Sequence, residues 1–323
     1  MTLLSTQAFV SGNFSALTKV FSEAGFQVHL PLEGVLQINA PAATDSVRLR
    51  LMISVGVHGD ETAPIEVMAQ LLNELAQTPD QLAVDLLVAV GNSAAIASAK
   101  RFIDIDLNRL FVPDRQQFND SREAARADQL MAVARDFFAG YTHKWHLDLH
   151  TAIRASRYAT FAIIPGKADQ ALLDWLGRAA VEAVVCNPQP SVTFSSYTSQ
   201  HLGAVSCTAE LGRIGELGKN DLSQFEPVRL ALSALLRTGD IAPVSGQTQP
   251  LLFRVAQELI KHSEDFSLTF DGSTENFTEF APHTLIATDG NLSYTVGEQP
   301  EYVLFPNPGV RIGLRAGLLV VRV

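Results

Sequence analysis

The chain has 323 residues, carries 34 Asp+Glu against 24 Lys+Arg, and has a formal net charge of −10. That length gives room for one large domain, or a large domain with a small one, and for a core that needs no disulfide or metal staple to fold. A hydrophobic fraction of 47% with 18% charged residues excludes disorder, and an acidic balance with Lys100–Arg101 as its adjacent basic pair excludes an extended nucleic-acid surface.

The N-terminus, Met1-Thr-Leu-Leu-Ser-Thr-Gln7, lacks the basic flank and long apolar run of a signal peptide. Val47–Val55 reads as a buried strand that runs out at Gly56. Thr62–Gln77 has helical spacing, with Ile65, Ala69, Leu72 and Ala76 on one side. Val84–Val90 suits a central strand, and Arg122–Phe138 a long helix. Trp145–His150 alternates, and Tyr158–Ile164 is an apolar strand before Pro165. Asp169–Glu182 is helical, Val205–Leu211 is a strand, and Leu222–Arg237 is a helix. Strands alternating with helices predict an α/β fold, a mixed but largely parallel sheet with helices on both faces. The pattern changes at Thr238–Pro250, which is rich in Gly and Pro. Beyond it, Leu251–Val255, Phe266–Phe270, Tyr302–Phe305 and Gly317–Val323 are strand-like, and prolines punctuate them. The expected organisation is a large domain over 1–240 and a small β-rich domain over 241–323. Two cysteines, Cys186 and Cys207, make no disulfide framework, so a cytoplasmic setting is expected. No run approaches the roughly 18 apolar residues of a membrane span.

The most informative segment is Gly56-Val-His58-Gly-Asp-Glu61. A buried strand ends there and a helix begins just after. His58 and Glu61 offer an imidazole and a carboxylate that can converge on one cation, and open α/β sheets bind ligands at the carboxyl ends of their strands. The competing reading is a plain helix start, with an exposed His and a Glu favoured by the helix dipole. His150 closes the alternating strand His146-Leu-Asp-Leu-His150, again at a carboxyl end. Two His and one Glu form the open three-ligand set of a catalytic zinc site. His146 shares the face of His150 and reads as a hydrogen-bonded sheet histidine. His143 reads as an exposed loop residue, and His29, His262 and His283 as structural.

Arg101-Phe-Ile-Asp-Ile-Asp106-Leu-Asn108-Arg109 sets two guanidiniums and an amide among apolar neighbours. Arginines there need anionic or carbonyl partners, and planar recognition of a carboxylate is what Arg does best. The partners are either a ligand or the nearby Asp104 and Asp106. Glu210 ends the strand Val205–Leu211. A carboxylate closing an apolar strand has its pKa pushed up and suits general-base work. Pairing with Arg213 is the alternative.

Together, and in order, these residues resemble the zinc carboxypeptidase-like hydrolases, in the succinylglutamate desuccinylase/aspartoacylase branch. The series is Gly-Val-His58-Gly-Asp-Glu61, Arg101, Asp106-Leu-Asn108-Arg109, Asp148-Leu-His150 and Glu210-Leu-Gly212. The desuccinylases are resembled further at His150-Thr-Ala-Ile-Arg154, Tyr197-Thr-Ser-Gln-His201, Phe305-Pro-Asn-Pro and Ile312-Gly-Leu-Arg-Ala-Gly-Leu318. The resemblance implies a zinc-carboxypeptidase-like catalytic domain with one zinc ion on His58, Glu61 and His150, and Glu210 as general base. Arg101 would polarise the scissile carbonyl, Asn108 and Arg109 would bind a substrate carboxylate, and Asp106 would orient His58. Tyr197 and His201 are further candidates. Aspartoacylases have an Arg near the position of His201, and Arg154 is an alternative anion binder. Arg157 and Arg213 are also available for a substrate with three carboxylates. The implied reaction is hydrolysis of N-succinyl-L-glutamate, a small anionic substrate, at the end of the arginine succinyltransferase route. An aspartoacylase-like acyl-amino-acid hydrolase and a non-catalytic zinc-binding protein on the same fold are the competing functions. Either a monomer or an oligomer is compatible with the sequence.

Overall fold

The computed structural model describes residues 4–40, 48–115, 118–242, 248–271 and 273–323. Two short helices, α1 (Thr6–Val10) and α2 (Ser15–Glu23), precede a hairpin of β1 (Gln27–Leu32) and β2 (Val35–Asn39). Alternation then begins, with β3 (Arg50–Val55), α3 (Ala63–Leu75), β4 (Asp85–Val90), α4 (Ser93–Ala97), α5 (Arg122–Phe138) and β5 (Lys144–Ala152). It continues through β6 (Phe161–Pro165), α6 (Gln170–Arg178), β7 (Ala183–Asn187), α7 (Phe194–Leu202), β8 (Val205–Arg213) and α8 (Glu226–Thr238). The remainder is β9 (Leu251–Ile260), β10 (Ser267–Leu268), β11 (Thr278–Phe280), β12 (Leu285–Asp289), β13 (Leu292–Thr295), β14 (Glu301–Leu304) and β15 (Arg315–Arg322).

One twelve-stranded sheet runs in the order β1-β2-β4-β3-β5-β8-β6-β7-β9-β15-β14-β11. Its centre is parallel, since β3 pairs with β4 and β5, and β5 with β8, all in one direction. β6 runs antiparallel to β8. The parallel pair β7–β9 carries the sheet into the C-terminal strands without a break. A separate three-stranded sheet, β10-β12-β13, packs beyond. The fold is therefore the mixed α/β architecture the sequence implies, with a β-rich C-terminal part.

Strand alternation builds two cores. Leu51, Ile53 and Val55 of β3, with Trp145, Leu147 and Leu149 of β5, pack with α1, α2, α3, α6 and α8. Met52, Leu87 and Ala89 point the other way, toward α5 and the start of α7. Because successive strand residues face opposite sides, β5 sends its apolar set to the first core. His146, Asp148 and His150 go to the second face.

Several boundaries differ from the sequence reading. Val47 lies outside the described residues. The helix expected over Asp169–Glu182 stops at Arg178, and Ala183–Asn187 is a buried parallel strand. Its run is too short to stand apart from the helical pattern before it. The helix α7 was not expected, because FSSYTSQHL is mostly polar. It is fixed by its ends: the Thr193 side chain accepts the Ser196 N–H, and Gly203 takes a left-handed C-cap. Among the described residues, no helix is long and apolar enough to cross a membrane.

Candidate active site

Three neighbouring strands, β3, β5 and β8, deliver the site at their carboxyl ends. β3 ends in a loop that turns at Gly56, whose φ is +63°. Gly59 then lies so close to the chain at Ala95–Lys100 that a Cβ would fall 2.3 Å from the Ala95 carbonyl carbon. Its N–H donates to the Arg101 carbonyl at 3.0 Å. This close approach holds His58 and Glu61 against the strand ends and brings Arg101 alongside.

His58, Glu61 and His150 are all buried, and their ligand atoms lie within 4.8 Å of one another. His58 Nδ1 is 2.8 Å from Glu61 Oε1, and His150 Nδ1 is 2.8 Å from Glu61 Oε2. The outer nitrogens face carboxylates as well. His58 Nε2 is 2.8 Å from Asp106 Oδ1. His150 Nε2 is 3.0 Å from Asp148 Oδ2, although the two are not aligned as a straight hydrogen bond. Carboxylates behind ligand histidines fix the tautomer with the proton on the outer nitrogen. In this structure each Nδ1 faces a Glu61 oxygen, so the centre demands positive charge there, from a ring proton or a bound cation. Burial opposes Glu61 ionisation, but His58 and His150 outweigh it and hold its pKa well below the carboxylate range. Burial likewise opposes charging of His150, yet Asp148 and Glu61 raise its pKa well above the usual imidazole value. Two imidazole nitrogens and a carboxylate form a donor set that fits a divalent metal ion.

Glu210 is the register partner of His150 on the adjacent parallel strand, so both side chains leave the same face. It is only 8% exposed, and its Oε2 is buried with no hydrogen-bond partner. Burial, aided by the negative charge of Glu61, pushes its pKa up to about 7. No ion pair with Arg213 holds it.

Arg101 Nη1 donates to Glu61 Oε1 at 2.8 Å and sits 3.7 Å from Asp60 Oδ1. Its guanidinium thus faces the His58–Glu61 centre. Asp104 does not pair with it and accepts the Arg122 N–H instead. Asp106 accepts the Asn108 N–H at 3.0 Å and lies 3.6 Å from Arg109 Nε. His58 and its own hydrogen bond to that ring overcome burial and keep Asp106 ionised far below its usual range. Asn108 Oδ1 takes the Phe194 N–H at 3.0 Å, which anchors the start of α7.

Most of these groups line one cavity of about 650 Å³, with His150 set behind its wall next to Thr151. His58, Glu61, Arg101, Asp106, Asn108, Arg109, Arg154 and Glu210 are on its wall. Tyr197 and His201 are not brought to it. Tyr197 packs in the core against α5 and His201 is exposed, their rings 5.3 Å apart on the far side of α7.

Residues 48–236 match the Succinylglutamate desuccinylase/Aspartoacylase catalytic domain. Residues 248–323 match the AstE/AspA barrel-sandwich hybrid domain. A succinylglutamate desuccinylase of Burkholderia orbicola is 42% identical over 90% of this chain and 86% of its own. The chain belongs to the succinylglutamate desuccinylase/aspartoacylase family. Two solved family structures superpose closely. The succinylglutamate desuccinylase of Vibrio parahaemolyticus has a TM-score of 0.84 at 33% identity, covering 93% of this chain and 89% of that one. The Chromobacterium violaceum enzyme has a TM-score of 0.79 at 37% identity, covering 95% and 97%.

Within this family fold, the cavity wall holds residues the sequence did not single out. Arg115 lines it, donating to the Leu110 carbonyl and to Asp128 Oδ1. Thr151 follows His150; its N–H donates to Glu61 Oε2 at 3.2 Å, and its hydroxyl is buried without a partner. Arg315 and Glu258 reach the cavity from the C-terminal strands. Only long-range pairing brings them there, so no local pattern marks them. Arg315 does fall inside the quoted Ile312–Leu318 string.

Proposed function

We propose that this chain is a zinc-dependent hydrolase that cleaves N-succinyl-L-glutamate to succinate and L-glutamate. The observation that carries this reading is Glu210, an unpartnered buried carboxylate on the same sheet face as the His58–Glu61–His150 donor set. The names of the relatives above support this choice of substrate. The donor set would hold one zinc ion per chain. Zinc in such a site supplies Lewis-acid polarisation of oxygen and makes water a nucleophile near neutral pH.

The chain's own residues do the rest. Glu210 takes a proton from the attacking water at its unpartnered oxygen and passes it to the leaving nitrogen. Arg101 has five N–H donors and spends few of them on Glu61, so it can also donate to the carbonyl oxygen as negative charge develops there. Arg109 and the free amide side of Asn108 take a carboxylate of the glutamate half, and Arg154, on the same cavity wall, is a candidate for another. Asp106 and Asp148 keep His58 and His150 oriented. The reaction class fits the last step of a succinyl-transfer route of arginine breakdown in the cytoplasm.

Side-by-side turnover of N-succinyl-L-glutamate and N-acetyl-L-aspartate tests the assignment, before and after stripping the metal with a chelator. The expected result is a preference for the succinyl substrate that disappears with the metal and returns with zinc. Preference for N-acetyl-L-aspartate would make the chain an aspartoacylase. Full activity without metal would sink the zinc role, and zinc retention with no hydrolysis would point to a binding protein.

A further inference from the structure

The C-terminal strands contribute a wall to a cavity whose other groups come from the first 240 residues. Arg315 opens β15 and lines that wall beside Glu258 and Asn276. Arg109 faces it from the opposite half, its Nη2 donating to the Arg315 carbonyl at 3.4 Å. Both arginines are partly open to the cavity, with side chains 24% and 27% exposed.

Neither arginine is closed off by its carboxylate. Arg109 Nε stands 3.6 Å from Asp106, and Arg315 Nη1 stands 3.7 Å from Glu258. A charge-assisted hydrogen bond between such groups is about 2.7–2.9 Å long. Burial lowers the pKa of Arg315 against the opposing pull of Glu258, and the neighbouring Arg109 charge adds to that lowering, so the two guanidiniums sense each other. Asn276 repeats the theme on the same wall. Its Oδ1 accepts the Phe305 N–H at 2.8 Å, while its Nδ2 is buried with no partner. Burying donors unsatisfied is costly, so a wall built this way asks for an anionic, acceptor-rich ligand.

We propose that Arg315 is a specificity-determining residue that takes the side-chain carboxylate of the substrate's amino-acid half, next to the α-carboxylate held by Arg109. This rests on the N-acylglutamate hydrolase reading above. Two neighbouring guanidiniums lining one cavity match the two carboxylates of one dicarboxylic amino acid. Glu258 and Asp106 hold one arginine each without saturating it. The C-terminal part is then a portion of the substrate site, and its arginine selects acidic over neutral amino acids.

The test compares the metal-loaded parent protein with Arg315→Met and Arg315→Lys on three substrates. These are N-succinyl-L-glutamate, N-succinyl-L-norvaline (a methyl replaces the side-chain carboxylate) and N-butanoyl-L-glutamate (a methyl replaces the acyl carboxylate). The parent should favour the first over the second by roughly 10²-fold or more in kcat/KM. Arg315→Met should lose that preference, mainly through KM, leave the norvaline substrate unchanged, and keep the parent's penalty for the butanoyl substrate. Arg315→Lys should recover part of the preference. Equal loss on all three substrates would make Arg315 a wall residue only. Loss that vanishes with the butanoyl substrate would move it to the acyl carboxylate. Either outcome overturns the proposal. Calorimetric binding of L-glutamate and L-norvaline keeps the two readings apart. A parent that hydrolyses none of the substrates defeats the hydrolase reading, whereas Arg315→Met binding glutamate as tightly as the parent defeats this one.

Discussion

Glu61 and Glu210 are buried carboxylates on one cavity wall, yet their surroundings treat their protons oppositely. Glu61 lies between two histidines and an arginine and stays ionised. Burial, reinforced by the negative charge of Glu61, pushes the pKa of Glu210 up to about 7, and its Oε2 has no partner. Environments that split two carboxylates in this way assign one as a fixed anion and the other as a proton carrier. Glu210→Gln should therefore keep the metal, read by elemental analysis, and lower kcat by roughly 10²–10⁴. A near-parental rate would remove Glu210 from the role of base. His146 shows the opposite use of a buried group. The single Ser54 hydroxyl proton goes to Asp148 Oδ1 at 2.5 Å, so Ser54 accepts from His146 Nε2. His146 Nδ1 lies 2.8 Å from Thr198 Oγ1, and burial keeps the ring neutral. Burial, reinforced by His150 and opposed by Asp148, drops its pKa to about 4. The unfolded chain, with a histidine pKa near 6.5, binds this proton first. The contribution is thus intact above pH ~6.5 and lost as pH falls toward about 4, a change on the order of 3 kcal/mol. Denaturant melts of the parent and His146→Gln between pH 7 and 4.5 should converge toward low pH. Parallel curves would contradict the neutral ring.

At the scale of elements, the loop from Gly56 to Glu61 controls the centre because it packs backbone on backbone. A methyl at Gly59 meets the Ala95 carbonyl carbon at 2.3 Å and the Ile96 nitrogen at 2.4 Å. Flexible side chains could yield, but main chain inside a packed core cannot do so cheaply. Gly59→Ala should lower Tm and weaken metal binding together, by about tenfold or more in affinity as ligand support is lost. Parental metal affinity would mean the loop adjusts freely. This loop was legible in the sequence, as were the β5 and β8 ends, because buried strands that stop at polar residues stand out. The alternation of β5 even separated His146, Asp148 and His150 from the core face. Elements without such contrast were not legible. α7 is polar and is fixed only by capping and by the Asn108–Phe194 hydrogen bond. Tyr197 and His201 kept a family-like string, but a helix turns its residues through 100° each, and the observed turn of α7 points these two away from the cavity. β7 is a five-residue run directly after a helix, where periodicity cannot divide the two.

At the scale of the whole molecule, the sheet that passes from β7 to β9 makes one cavity from two stretches of sequence far apart. Glu258 was invisible to motif reading for that reason, and the family-like string that holds Arg315 gave it no place at the cavity, since strand pairing across the sheet sets both positions. The same construction bears on charge. The chain carries −10, whereas five arginines balance five carboxylates among the described residues of the cavity wall. A divalent ion on His58, Glu61 and His150 would make that wall positive. At about 0.15 M salt the Debye length is roughly 8 Å, so most of the acidic exterior is already screened from a molecule in the cavity. What remains unscreened is the partly buried set around Arg101, Arg109 and Arg315. Raising the salt from about 0.05 to 0.5 M should then increase KM for a tricarboxylate substrate severalfold, with a smaller change in kcat. Steady-state kinetics over that range decides the point. A KM that falls with salt would mean repulsion by the acidic exterior governs capture, and the arginine-lined cavity would lose its role as the attractive element.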